Sequence, residues 1–467
     1  ESNSQTWRSA IASADQASES TSSRASLSYI TQDRANEAEA TASVFSQVEA
    51  GIGQSFRGYL GLSDSDSQPE TVDSVQKRLR DVERETGITP ALIYAYFVPD
   101  AKSQSAIITG SDRLAQLDDQ LEIMLITPGS DPIRQRQWGI TREQVAATGQ
   151  NLRQQATSQF STARQYLEPA QQLYNWLIKP IERDLIAQSV ESLGFVMDDG
   201  LRTLPIAALH NGDRYLVEDY SVGLLPSFSL TEFERTGANR TDFSRTQVLA
   251  MGASEFQNQP ALPAVDAEIA LITQQLWQGD AFLNEDFVLE NLKNQIKQKE
   301  YGIIHLATHA SFEAGNLENS YIQMWDDKLS LNNVKELGLN NSDISLIILS
   351  ACNTALGDRT SEYGFAGFAV TAGSPSALAS LWPVSDEGTL GFMSQFYKEL
   401  KQSSVRAEAL QQAQVSLIRG NVGISDGLIY GPNDNEIAQL PDLAESGRWD
   451  FSHPFYWSAF TMIGNPW

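Results

Sequence analysis

The sequence is poor in the residues that build disulfides and metal centres. It holds one cysteine and four histidines among 467 residues, and a single cysteine forms neither an internal disulfide nor a Cys-based metal or iron–sulfur cage. Basic residues are also scarce, with 33 Lys and Arg against 59 Asp and Glu and a net charge of −26. This charge repels phosphate backbones and anionic lipids, so we expect neither nucleic acid nor a membrane as a partner.

Motifs for cofactor binding are missing too. The sequence contains no P-loop, no dinucleotide-binding G-x-G-x-x-G, no H-E-x-x-H and no C-x-x-C, so we predict no cofactor and no metal. The uncharged stretch 363–385 has the length of a membrane span, but glycines and prolines interrupt it. It therefore predicts a helix, a loop and a buried strand rather than a span.

The compartment is weakly defined by the sequence. A single cysteine fits the reducing cytoplasm, which we favour, although it is equally compatible with export. The chain begins at Glu1 rather than Met, so any targeting information upstream of it is lost to this sequence, and export is not excluded.

Composition and periodicity divide the chain into three predicted parts. Residues 1–85 are rich in Ser, Ala, Gln and Glu, and we interpret them as a helical extension that covers the main body. Residues 86–245 form an α/β region of short apolar runs and helical stretches, and residues 246–467 alternate strand and helix. The predicted helix in the first part rests on apolar residues at three- and four-residue steps: Phe45, Val48, Ile52, Phe56 and Tyr59.

The alternation predicts an α/β fold with a mostly parallel sheet flanked by helices, preceded by the helical segment and the smaller α/β region. The runs 303–307 and 346–349 are continuously apolar, as is typical of strands buried on both faces. We also predict a hairpin over 215–225 and a linker over 232–246.

Two reactive residues follow these apolar strands. His309 closes the predicted strand 303–307, and Cys352 closes 346–349. Chemistry in open α/β sheets gathers at the carboxyl ends of strands, and adjacent parallel strands would bring both residues to one edge. An imidazole can accept the thiol proton and later return it to a leaving amine, so the pair suits a cysteine nucleophile. The alternative is a buried Cys352 that acts as a small apolar side chain.

The other histidines suggest structural roles. His305 lies inside an apolar strand, so we predict a core histidine whose imidazole is satisfied by hydrogen bonds. His210 begins a turn, which favours the surface, and His453 precedes a predicted strand.

A serine nucleophile is a weaker hypothesis. Residues 423–427 read Gly-Ile-Ser-Asp-Gly, which matches the G-x-S-x-G elbow around Ser425. That elbow requires a strand before the serine and a helix after it, whereas here a helix precedes and a polar loop follows. We therefore interpret the match as a coincidence.

The sequence resembles the CHAT-domain proteins, caspase-like cysteine peptidases of the caspase–hemoglobinase fold that are related to separases and metacaspases. Several blocks carry the resemblance and occur in the family's order over roughly 190–467. They are 204–209 (LPIAAL), 262–268 (LPAVDAE), 305–309 (HLATH), 349–357 (LSACNTALG), 379–386 (ASLWPVSD) and 453–460 (HPFYWSAF).

The resemblance implies His309 as general base and Cys352 as nucleophile. The backbone N–H groups of Cys352 and Ala310 would form the oxyanion hole, although the family usually has Gly where Ala310 stands. It also implies that the region 86–245 is an inactive caspase-like half. The predicted substrate-binding residues, at the loop after Trp382 and on neighbouring loops, are Glu362, Ser380, Trp382 and Asp386.

Together these features predict a cysteine endopeptidase that cleaves a protein partner or itself and is regulated by its N-terminal region or by a protein. Glu362 or Asp386 could form an acidic pocket for Arg or Lys; the alternative is that both are solvated loop carboxylates. The first rival function is a catalytically silent CHAT-like interaction scaffold, and the second is a serine hydrolase using Ser425.

Overall fold

A large mixed sheet with helices packed on it dominates the structure. The structure is a computed structural model, and it describes residues 38–63, 70–99, 116–231, 233, 246–339, 343–354, 359–431, 435–439 and 448–467. Most of the predicted linker 232–246 and all of residues 1–37 lie outside the described residues.

The described helices flank the sheet. They are α1 (38–60), α2 (Val72–Thr86), α3 (Arg142–Ala156), α4 (Ala163–Leu177), α5 (Glu182–Ala187), α6 (Leu216–Asp219), α7 (Val265–Leu271), α8 (Leu289–Gln298), α9 (Leu331–Val334), α10 (Arg359–Ala366), α11 (Phe368–Ala372), α12 (Asp386–Leu400), α13 (Arg406–Ile418) and α14 (Pro454–Trp457). A π-helical turn, Ile272–Leu276, extends α7.

The strands form two sheets. They are β1 (Pro90–Val98), β2 (Gln120–Ile126), β3 (Ile133–Thr141), β4 (Ser192–Met197), β5 (Ser221–Leu225), β6 (Val248–Gly252), β7 (Gly279–Leu283), β8 (Ile303–Phe312), β9 (Tyr321–Gln323), β10 (Lys328–Ser330), β11 (Leu346–Thr354), β12 (Ser376–Ser380), β13 (Gly423–Ser425), β14 (Leu428–Gly431), β15 (Asn435–Gln439), β16 (Arg448–Asp450) and β17 (Phe460–Gly464).

The main sheet has the order β10-β9-β8-β11-β12-β17-β5-β4-β1-β2-β3, and β6 and β7 extend it beside the first half of β8. The pairs β6–β8, β8–β11, β11–β12, β4–β5 and β1–β4 are parallel, whereas the strands toward both edges are antiparallel. The predicted α/β fold, with a mostly parallel sheet flanked by helices, is confirmed.

The sheet runs without a break from the residues before 246 to those after it. The last strand, β17, pairs with β12 on one side and with β5 on the other. The division of the chain at 85 and 245 stays a prediction, since this continuity neither requires nor excludes an inactive half that precedes an active one.

One predicted local element is wrong, and one strand was not predicted. The predicted hairpin over 215–225 is wrong, because 216–219 form helix α6 and β5 pairs in parallel with β4. Strand β3 escaped prediction because its sequence IRQRQWGIT is largely polar and alternates poorly, as suits an exposed edge strand.

The uncharged stretch 363–385 is not a single helix. It includes the end of α10, helix α11 and the buried strand β12, as the sequence predicts. Within the part of the chain that the structure describes, no helix combines the length and apolar character that a membrane span requires.

Strands β8 and β11 extend further than their apolar runs suggest. They reach Phe312 and Thr354, so His309 and Cys352 lie inside strands rather than just after them. Antiparallel pairing of Ala310 and Ser311 with β9 explains the longer β8, because backbone pairing does not require apolar side chains.

Helix α1 confirms the predicted apolar stripe and is docked by a buried carboxylate. Glu49 is 1% exposed and accepts hydrogen bonds from Tyr94 Oη at 2.7 Å and from the Ser229 and Phe228 N–H groups at 2.8 and 3.2 Å. Burial raises the pKa of Glu49, and these donors oppose the rise. Gly53 permits the close approach, because a Cβ there would lie 3.0 Å from Ser229 Oγ.

The far end of α1 reaches helix α10, which follows the Cys352 strand. The ring of Phe56 lies 4.7 Å from that of Tyr363, and the ring of Tyr59 stacks on Tyr363 at 5.5 Å. Because Phe56 is fully buried, helix α1 is part of the core rather than a loose cover.

We expect Phe56→Ala to lower the free energy of unfolding by about 3–5 kcal/mol, because it removes a buried ring and leaves a cavity. Phe160→Ala is the matched control: Phe160 is 87% exposed, and its truncation should change stability by less than about 0.5 kcal/mol. Urea unfolding of both variants measures the difference. Equal effects would contradict the integration of α1 into the core.

Candidate active site

The backbone register places Cys352 beside His309. Along the parallel pair of β8 and β11, Ala351 is opposite His309 and Cys352 is opposite Ala310. The register shifts between Leu349 and Ala351, and such irregularities re-aim side chains near functional sites. The two backbones therefore lie at the same level of the sheet, while the register assigns Cys352 to the sheet face of Ala310 rather than to that of His309. The dyad stays a prediction.

A proline carbonyl orients the His309 ring. His309 Nε2 lies 2.8 Å from the carbonyl oxygen of Pro260, and a carbonyl can only accept a hydrogen bond. Nε2 therefore carries a proton, and in the neutral imidazole the lone pair is on Nδ1. The Phe256 ring packs on the imidazole with a centroid separation of 4.9 Å, and the imidazole is half-buried.

The surroundings of Ala310 bear on the predicted oxyanion hole. Ala310 is 3% exposed and pairs with Ile322 of β9 on one side and with Cys352 on the other. Interior strands direct their peptide groups at neighbouring strands, which weighs against this N–H as an open donor. The oxyanion hole stays a prediction.

His305 is a core histidine, as predicted, but its Nε2 and Glu268 Oε1 lack hydrogen-bond geometry, so the ring is satisfied only in part. It is fully buried, with Nε2 at 3.0 Å from Glu268 Oε1 and Nδ1 at 3.2 Å from Tyr397 Oη. Burial, and then Glu268, raise the pKa of Tyr397. This cluster ties α7 and α12 to the strand that presents His309.

The predicted position of Glu362 on a loop is wrong. It lies in α10, is 0% exposed, and accepts hydrogen bonds from the Gly200 N–H at 2.8 Å and from Thr203 Oγ1 at 2.9 Å. Burial raises its pKa, with Arg202 as the first opposing influence. A carboxylate enclosed in this way is a structural link to the 200–203 segment rather than a group exposed to a substrate.

Arg202 completes this buried link. Its guanidinium lies 4.4 Å from the centroid of Tyr363 and 4.9 Å from that of Phe56, and it pairs with Asp199 at 2.5 Å. Its side chain is 2% exposed. The positive charge is thus compensated by carboxylates and ring faces, and helix α1, helix α10 and the 199–203 segment are joined.

The predicted loop position of Asp386 is also wrong, because Asp386 is the first residue of α12. It is half-buried, and the Ala264 N–H donates to Oδ2 at 3.4 Å. The pKa of its carboxyl is raised to about 6, chiefly by burial; the Ala264 N–H opposes this rise, and Glu387 and Glu268 add to it.

Trp382 and Ser380 belong to the interior. Trp382 is 3% exposed, and its indole N–H donates to the Phe455 carbonyl at 3.1 Å. Ser380 is 0% exposed. Their substrate-binding roles stay a prediction, and the burial of both side chains weighs against direct contact.

The predicted positions of two histidines are wrong. His210 is 8% exposed rather than at the surface, because its bridge to Tyr215 folds the turn inward. His453 caps the short helix α14, accepting from the Phe455 N–H at 3.1 Å, and does not lead into a strand. Burial lowers the pKa of both imidazoles.

Ser425 is not on a nucleophile elbow. It ends β13, and a two-residue turn leads to β14 in an antiparallel hairpin. No helix follows, so the strand–turn–helix arrangement that exposes an elbow serine is missing, in agreement with our interpretation of the motif.

Sequence reasoning missed the residues that hold His309 in place. Pro260 acts through its carbonyl, which every residue possesses, so nothing in the sequence distinguishes it. Among the described residues no group of three or more His, Cys, Asp or Glu side chains could hold a metal ion.

The chain belongs to the CHAT domain family, because a family model described as CHAT domain matches residues 167–465, more than half of the chain. This confirms the resemblance drawn from the sequence blocks. No curated protein matches the sequence significantly.

Several solved structures are similar. The separase–securin complex of Saccharomyces cerevisiae is 10% identical with a TM-score of 0.46, and the match covers 84% of this chain and 31% of that chain. This chain thus spans less than a third of the separase chain. The Arg-specific cysteine proteinase gingipain R is 10% identical with a TM-score of 0.38, covering 68% and 74%. A complex of RgpB pro- and mature domains from Porphyromonas gingivalis is 12% identical with a TM-score of 0.36, covering 69% and 76%.

We expect Asp386→Asn to change the pH dependence of stability. The folded-state pKa of about 6 exceeds the ordinary value of 3.8, so the folded state holds the proton more tightly and wild-type stability falls as the pH rises from 4 to 6. The variant lacks this loss, and relative to wild type it should gain roughly 1 kcal/mol between pH 4.5 and 7.5, once solvent screening is allowed for.

Urea unfolding at both pH values measures this gain. Asp73→Asn is the control, since Asp73 is an exposed carboxylate in the first turn of α2. A stability difference between Asp386→Asn and wild type that stays the same at both pH values would contradict the assignment.

Proposed function

We propose that this protein is a cysteine endopeptidase that acts through Cys352 and His309. The observation that carries the proposal is the parallel pairing of β8 and β11, which brings the backbones of His309 and Cys352 to the same level of two adjacent strands. Membership of the CHAT domain family supports it, as does a sequence whose single cysteine occupies this position.

The arrangement suits general-base activation of a thiol. His309 Nδ1 accepts the Cys352 thiol proton while Nε2–H stays bound to the Pro260 carbonyl. The thiolate attacks the substrate carbonyl carbon, and the C–N bond breaks as the imidazolium returns its proton to the leaving amine. Water then hydrolyses the thioester, which regenerates the thiol and releases the acid.

The substrate that we propose is a protein, either a partner or the chain itself. Asp386 is the one predicted pocket carboxylate that is half-buried rather than enclosed, so an acidic pocket for Arg or Lys would depend on it. The other predicted pocket carboxylate, Glu362, is occupied by its own hydrogen bonds.

Regulation through the N-terminal region is the second part of the proposal. Helix α1 contacts Tyr363 of α10 through Phe56 and Tyr59, and α10 begins five residues after the end of β11. A protein that pulled on α1 would therefore act on the segment that follows Cys352. A regulatory protein that binds the N-terminal region could act through these contacts of α1 with α10.

A catalytically silent scaffold is the alternative function. The pairing of Ala310 on both sides, at a position where the family usually has Gly, favours it. A serine hydrolase using Ser425 receives no support from the hairpin that holds this residue.

Labelling with a thiol-reactive peptide probe tests the proposal. Because Cys352 is the only cysteine, labelling of the wild type reports this residue alone, and Cys352→Ala should abolish both labelling and self-cleavage. His309→Ala should slow labelling by about 100-fold or more, as expected for loss of a general base.

Ser425→Ala is the control variant and should label like the wild type. Peptide cleavage that persists in Cys352→Ala but disappears in Ser425→Ala would establish the serine hydrolase instead. A wild-type thiol that reacts no faster than free cysteine, with and without candidate protein partners, would favour the scaffold.

A further inference from the structure

One loop makes both of the ring contacts described for His309. We name residues 254–262 the His309 loop; its Phe256 ring packs on the imidazole and its Pro260 carbonyl accepts from Nε2. The middle of this loop is largely exposed, and the loop closes on itself through a hydrogen bond of 2.9 Å from the Leu262 N–H to the Ser254 carbonyl. The position of Ser254, where the loop begins, therefore determines where both contacts lie.

Asn284 holds Ser254, the first residue of the His309 loop. Its Oδ1 accepts a hydrogen bond from the Ser254 N–H at 3.0 Å and lies 3.4 Å from Ser254 Oγ. Asn284 follows directly after β7 and is half-buried. The bond joins two segments 30 residues apart, so it belongs to the tertiary structure rather than to a local turn.

The backbone of Asn284 is in the left-handed region, with φ of 50°. Non-glycine residues rarely adopt this conformation, although Asn tolerates it better than most. Glycine would adopt it with less strain, but glycine has no side chain to accept from Ser254. Unusual backbone conformations of this kind cluster at functional sites, and here the side chain gives a reason for the residue.

We infer that Asn284 is a positioning residue for the His309 imidazole, acting through the His309 loop. This inference deepens the proposed function, on which it rests for its catalytic meaning. Asn284 keeps Ser254 in place, Ser254 fixes the closure of the loop, and the closed loop presents the Pro260 carbonyl that sets the tautomer. The Nδ1 lone pair is then available to a thiol.

Two other contacts support the loop less strongly. Gln259 Nε2 donates to Tyr321 Oη at 3.2 Å, and the Ala264 N–H, just beyond the loop, donates to Asp386 at 3.4 Å. The first joins two side chains and does not bind the loop backbone, and the second is a long hydrogen bond. The bond from Ser254 to Asn284 is therefore the anchor whose loss should move the loop most.

Three variants separate positioning from stability. Asn284→Gly keeps the backbone conformation and removes the acceptor; relief of strain at positive φ opposes the cost of the lost hydrogen bond, so the variant should stay folded. Asn284→Asp keeps both the acceptor and the tolerance for this φ. Ser189→Gly is the matched control, because Ser189 is an exposed residue with φ of 52°, far along the chain from the His309 loop.

The first measurement is the histidine tautomer, by NMR of the full chain labelled at the imidazole nitrogens. His309→Ala identifies the His309 signals among the four histidines. We expect the wild type, Asn284→Asp and Ser189→Gly to show His309 with the proton on Nε2. Asn284→Gly should instead show a mixture of tautomers in a chain that is still folded, as its thermal unfolding transition would show. This measurement does not depend on Cys352 reacting at all.

The second measurement is the rate of Cys352 labelling by the peptide probe. Displacement of the base should slow labelling of Asn284→Gly by about 10- to 100-fold, with Asn284→Asp within about threefold of wild type. Unchanged His309 signals in Asn284→Gly would overturn the inference, as would a wild-type His309 that does not carry its proton on Nε2. Changed signals with an unreactive wild-type thiol would support the positioning and count against the proposed peptidase.

Discussion

The parallel pairing of β8 with β11 is the constraint on which the candidate active site depends. Both strands are buried on both faces over their apolar halves, and their backbone hydrogen bonds leave little freedom in register. From the pair Leu306–Leu349 to the pair His309–Ala351, β8 advances by three residues and β11 by two. This irregularity changes the partner of Cys352 from His309 to Ala310, so a single backbone step determines the relative placement of the two reactive residues.

Much of this arrangement could be predicted from the sequence, because it depends on local patterns. Continuous apolar runs identified the cores of β8 and β11, and the order of the blocks identified the family that the match to residues 167–465 confirms. The strand ends were wrong because polar residues such as Ser311 stay in the sheet by pairing with β9. Hydropathy does not record that pairing.

The errors at the candidate site have a common cause in long-range contacts. Glu362 looks like a solvated carboxylate in the sequence, but the Gly200 N–H and Arg202, some 160 residues earlier, enclose it. Pro260 and Asn284 were missed because one acts through its carbonyl and the other through a bond to Ser254. Neither role has a sequence signature, since each exists only after the chain has folded.

The two halves of the proposed dyad are held by different parts of the chain. His309 is oriented by residues 254–262 and by the anchor at Asn284, all within the last 220 or so residues. The strand of Cys352 leads into α10, whose Glu362 and Tyr363 are bound by the 199–203 segment and by helix α1. A displacement of α1 would therefore act on the thiol side of the site and leave the imidazole side in place. That asymmetry gives a physical reason why a regulator acting at the N-terminal region could alter the alignment of Cys352 without displacing the His309 imidazole.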